Sequence, residues 1–128
     1  MKTFNIIWML VLLSYVHTLA QDKTLVVRVA KIKIDSAQLE NYKTAVKEHA
    51  ETAVRVEPGV LTLYAVQEKD HPTSITVFEI YANAEAYKSH LQTPHFKKYK
   101  NTTKDMVKSL ELIETVPIAL ETKKKRKQ

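Results

Sequence analysis

The feature that most limits how this chain can fold is the order in which its apolar residues change period. LVVRVAKIKI, residues 25–34, is rich in β-branched residues and reads as a strand with apolar side chains on both faces, while Arg28, Lys31 and Lys33 mark an end that reaches water. The period then lengthens. Leu39, Tyr42, Val46, His49 or Ala50, and Ala53 recur at helical spacing, and Asp35 with Gln38 three residues on has the form of a capping box. Gly59, the only glycine, follows Pro58 in a turn and suits a positive φ. VLTLYAVQ (60–67) and ITVFEIY (75–81) are strands joined by a short polar link, which predicts a hairpin. Asn83 caps a helix through AEAYKSHL, and Thr93 with Pro94 caps a second. That restarted helix runs to about Val107 with Phe96 or Tyr99, Thr103 and Met106 inward; SLELIETVPI (109–118) is the last strand, closed by Pro117.

The order is β-α-β-β-α-β, the ferredoxin-like α+β plan of an antiparallel sheet with helices on one face. Such a sheet should alternate polar and apolar residues. These strands do not: Leu61, Leu63 and Ala65 alternate with Val60, Tyr64 and Val66, and Leu110, Leu112 and Val116 are set against Ile113. A second copy of the sheet is the simplest cover for the remaining face, so the expectation is a homodimer.

At 128 residues, 45% apolar, the chain has room for one domain with a real core. Residues 1–20 have the layout of a secretory signal peptide: Lys2, an apolar run from Phe4 to Val16, then small residues up to Ala20. The run is short of the roughly 20 residues that span a bilayer, so no stable membrane insertion is expected after cleavage. The domain then covers 21–117, a basic tail covers 118–128, and the protein is exported, periplasmic or secreted. Without cysteine, the fold rests on packing alone. The net charge of +6 belongs to the ends: between residues 21 and 122 fourteen basic residues face fourteen acidic ones. A neutral body and export argue against nucleic acid as a partner.

The stretch EPGVLTLYAVQEKDHPTSITVFEIYANAEAYKSHLQTPHFKKY closely resembles the central block of the antibiotic biosynthesis monooxygenase domains, small dimeric α+β barrel proteins that include quinol monooxygenases. The likeness covers most of residues 25–117 and is strongest at Glu57-Pro58-Gly59, at Glu79 and Tyr81, and at His90, His95 and Phe96. Members include cofactor-free oxygenases, a phospho-sugar isomerase and haem-degrading enzymes. Trp8, the one tryptophan, lies in the signal segment, and that sets the haem branch low. A single glycine makes a poor phosphate cradle.

The resemblance implies a cofactor-independent monooxygenase acting on a quinol-like or phenolic small molecule. A base removes a proton, and the electron-rich anion then reduces dioxygen without metal or flavin. His95, at a helix start where amide dipoles favour the neutral ring, is the candidate base; His90, at a helix end, leans toward the protonated form. Glu79 would hold a histidine in one tautomer. Tyr64, Tyr81, His49, Phe96 and Glu57 are the candidate substrate-binding residues, with an apolar pocket to exclude water. No metal site is expected, because His90 and His95, five apart, do not share a face of one continuous helix. An exported, non-catalytic small-molecule-binding protein and an isomerase on the same fold stand as alternatives.

Overall fold

The computed structural model describes residues 23–124; the expected signal segment and the last four residues of the tail lie outside them. Strands β1 (Val26–Ile34), β2 (Val60–Gln67), β3 (Ser74–Tyr81) and β4 (Val107–Thr115) form one antiparallel sheet in the order β2-β3-β1-β4. Helices α1 (Leu39–Val56), α2 (Ala84–His90) and α3 (Pro94–Thr103) complete the ferredoxin-like α+β fold. Among the described residues no helix is long and apolar enough to cross a membrane.

Side-chain parity defines the two sheet faces. Arg28, Ala30, Ile32 and Ile34 of β1 share the inner face with Ile75, Val77, Glu79 and Tyr81 of β3, since Arg28 pairs with Glu79, Ala30 with Val77 and Ile32 with Ile75. Tyr42, Val46 and Ala53, one stripe of α1, close the core above Ala30, Ile32, Leu63, Val77 and Tyr81. The outer face carries Val29, Tyr64, Phe78 and Ile113 in register across all four strands.

Several local expectations change in the fold. A bulge between Val60 and Thr62 shifts the parity of β2, so Val60 and Leu63 both point inward and Tyr64 and Val66 face out. Asp35 caps a 3-10 turn at Ser36–Gln38 rather than α1, and Gln38 accepts from Asn41 Nδ2 at 2.9 Å instead of closing a capping box. The restarted helix ends at Thr103, and Val107 opens β4, which stops at Thr115, two residues before Pro117. Gly59 does not adopt a positive φ. Its smallness serves a close approach: a Cβ there would meet the Ala86 Cβ at 2.5 Å. The turn after α1 is therefore pressed against the first turn of α2, a contact reinforced by the Ala82 amide donating to the Gly59 carbonyl at 2.9 Å.

Arg28 also departs from expectation. It is buried, 9% exposed, because it shares parity with the core residues of β1, whereas Lys31 and Lys33 have the opposite parity and are exposed.

Candidate active site

Three local devices bring the polar side chains together. The Gly59 contact places Glu57, the residue that ends α1, beside α2. Thr93 joins α2 to α3: its hydroxyl donates to the His90 carbonyl at 2.7 Å and accepts from the Phe96 amide at 3.3 Å. Pro94 at the first helical position then redirects the chain. Two histidines five residues apart, which a continuous helix would splay, thereby turn onto one carboxylate.

Glu57 Oε2 accepts from His90 Nδ1 at 2.8 Å and from His95 Nε2 at 2.6 Å. The side chains of Glu57, His90 and His95 are 12%, 1% and 15% exposed, so water barely competes for these bonds. A carboxylate can only accept, so each ring presents an N–H to it. For a neutral His90 ring this fixes the proton on Nδ1 and leaves the lone pair on Nε2. That Nε2 is buried and has no hydrogen-bond partner among the described residues.

Burial pushes His90 below the ordinary histidine value, and the nearby His95 adds to the effect, while the Glu57 hydrogen bond and charge oppose it. Burial thus outweighs the helix-end dipole that favoured a protonated His90. His49, stacked on Tyr99 with centroids 4.7 Å apart and 5.1 Å from the His90 ring, is pushed down to about 4, first by burial and then by its histidine neighbours.

A cavity of about 110 Å³ opens beside this cluster, between the inner sheet face and the helices. His90, His49, Tyr81, Glu79 and Phe96 all line it. His95 does not; it borders a separate hollow of about 50 Å³ with His49, Lys98 and Tyr99. Tyr64 is on the outer face, paired with Phe78 and 59% exposed, so it is not a pocket residue. Glu79 holds no histidine among the described residues. It sits across from Arg28, its carboxyl raised by burial against the pull of Tyr81, Arg28 and Lys100, and the histidine-orienting role has passed to Glu57.

Arg28, Tyr87, Tyr99 and Lys100 are wall residues that the sequence reading missed. For Arg28 the signal was its parity with Ala30, Ile32 and Ile34. The helix break also removes the spacing objection to a metal. Glu57, His90 and His95 each offer one donor atom, all within 4.8 Å of one another, a nitrogen and oxygen set suited to a divalent transition ion.

Fold and cluster together define a small α+β protein with a carboxylate-bridged histidine pair beside an apolar cavity. The sequence profile described as antibiotic biosynthesis monooxygenase matches residues 25–102, and the chain belongs to that family. It is 52% identical to a candidate antibiotic biosynthesis monooxygenase from Bacteroides thetaiotaomicron, with a TM-score of 0.76, covering 80% of this chain and 97% of that one. A candidate monooxygenase from Lactobacillus acidophilus is 35% identical, TM-score 0.72, over 73% of this chain and 45% of that one. A Nitrosomonas europaea protein at 21% identity and TM-score 0.70, covering 75% of this chain and 92% of that one, shares the fold. Among curated proteins none matches.

Proposed function

We propose that the protein is a cofactor-independent monooxygenase of a quinol-like or phenolic small molecule, with His90 rather than His95 as the base and Glu57 as the residue that orients it. The observation that carries this reading is the His90 ring: Nδ1 is held by Glu57, Nε2 is buried without a partner, and the residue lines an apolar cavity. His90 Nε2 takes the substrate proton. The anion gives one electron to dioxygen, and the substrate radical and superoxide combine to form a carbon–oxygen bond. The imidazolium returns its proton to the distal oxygen; loss of the hydrogen on that carbon with cleavage of the O–O bond releases water and leaves a carbonyl. One oxygen atom enters the product and one leaves as water. Glu57 steadies the imidazolium between the two proton transfers, and the dry cavity protects the anion from reprotonation.

The working form in this reading is an exported homodimer. Leu61, Tyr64 and Val66 of β2 leave large apolar side chains 49%, 59% and 61% exposed, a surface suited to a second copy. The test is oxygen uptake by purified, metal-stripped protein with a panel of reduced quinones and anthrones. Uptake above the spontaneous rate, lost in His90→Ala and retained in large part in His95→Ala, is the expected result. Absence of uptake across the panel refutes the oxygenase reading.

A further inference from the structure

Arg28 is a charged side chain on the inner face of a central strand, and its own partners do not account for it. The side chain is 11% exposed, yet its hydrogen bond, Nη1 to Glu114 Oε1 at 3.3 Å, runs to a carboxylate that is itself 84% exposed. The guanidinium lies over the Tyr87 ring, 4.5 Å from its centroid. A guanidinium has five N–H donors in a fork matched to carboxylates, and one long bond to a solvated partner leaves most of that capacity open. Removing such a charge from water is costly unless a partner compensates it.

The side chain's position says where a partner would come from. Arg28 lines the cavity that His90 lines. A run of ring contacts connects the two along one wall: Arg28 over Tyr87, Tyr87 at 5.1 Å from Tyr81, and Tyr81 at 5.3 Å from His90. Lys100 of α3 adds a second cation to the lining. Against them stands a single carboxyl group, Glu79, directly across the strands from Arg28. The wall thus carries more positive than negative charge in an otherwise apolar space.

We propose that Arg28 forms an anion subsite and that the molecule bound in this cavity is an aromatic carboxylate, its carboxylate on Arg28 and its ring against the tyrosine wall. The assignment rests on the cavity being the substrate site of the proposed reaction, where it places an ionisable hydroxyl of the same ring toward His90.

The test separates binding from turnover by using redox-inert ligands. Calorimetric titration of the wild-type protein with benzoate and with its neutral isostere benzamide should show benzoate bound about tenfold or more tightly, the scale of one charge-assisted bond. Arg28→Met should erase that preference by weakening benzoate far more than benzamide, and an unchanged urea-unfolding midpoint of the ligand-free variant would certify its fold. Glu79→Gln should increase the preference, whereas a merely structural Arg28–Glu79 pairing would lose stability and gain no affinity. Equal affinity for the two ligands, binding of neither, or a preference that survives Arg28→Met overturns the subsite. Oxygen uptake with 2,5-dihydroxybenzoate is read separately: benzoate preference without uptake keeps the subsite and removes the oxygenase, and uptake with neutral hydroquinone alone does the reverse.

Discussion

Leu63 and Tyr64 are neighbours on one strand and meet opposite fates: Leu63 is 7% exposed under the helices, while Tyr64 is 59% exposed on the outer face. The contrast is sharpest on β2; on β1 and β3 the outer-face pair Val27 and Ile80 is itself buried. The inner face has admitted Arg28, Glu79 and His90 into its covered region, and the outer face has left Val66 and Tyr64 open. What separates them is the amphipathic stripe of α1, which chooses one face to cover, and the polar groups that this cover then traps. Polar residues under the helices are costly to keep and so point to chemistry; apolar residues on the open face point to association.

The largest test of that contrast falls on the covered side. His90→Ala should lower the rate of oxygen uptake by about 10²- to 10⁴-fold, the usual range for a general base, measured as kcat with the best substrate of the panel. Tyr64→Ala should leave kcat within a few-fold; a drop as deep as that of His90→Ala would place the chemistry on the wrong face.

Stability gives the next effect. Leu63→Ala should cost about 2–5 kcal/mol in urea unfolding, as for a buried leucine, and Val66→Ala about 0.5 kcal/mol or less if the outer face is open to water. A cost well above that for Val66→Ala, together with dissociation of the Val66→Glu protein into monomers by sedimentation, would show that face to be covered in solution.

The pH dependence follows from His49. Its folded-state value of about 4 lies below the 6.5 of a free histidine, so the unfolded chain binds the proton more readily. The associated stability is complete above about pH 6.5 and is lost as pH falls toward about 4, up to about 3 kcal/mol if the shift is its own. Unfolding at pH 7 and pH 4.5 should show this loss in the wild type and a smaller one in His49→Leu. Thr93→Val should cost about 1 kcal/mol for a lost N-cap, accompanied by weaker activity because Thr93 also fixes the His90 carbonyl.

The element order, the hairpin and the helix break were all legible in the chain, because periodicity and caps act within a few residues. Pro94 after Thr93 announced the restart, and Asn83 does cap α2, accepting from the Ala86 amide at 2.8 Å. Misreadings arose where one local event altered a long-range count. A single bulge at the start of β2 reversed the face of Tyr64. Nothing near residue 57 says that its carboxylate meets residues 90 and 95; that meeting depends on the Gly59 contact with Ala86, a clash visible only in three dimensions. His90 and His95 were both legible as a pair, but which one faces the cavity was decided by how far each is sunk into the fold.

The edge strand adds a final consequence. Leu110 and Leu112 line the cavity from β4, yet they are 45% and 54% exposed because β4 lies at the margin of the sheet. The sheet side of the cavity includes core residues Ala30, Ile32, Leu63, Val77 and Tyr81. Leu110 and Leu112, half exposed, should be exchanged at lower cost in folding than those buried residues. In the proposed reaction, changes at Leu110 and Leu112 would alter which molecules the cavity admits while leaving the Glu57–His90 pair in place, so selectivity and proton transfer would fall to different elements of one small domain.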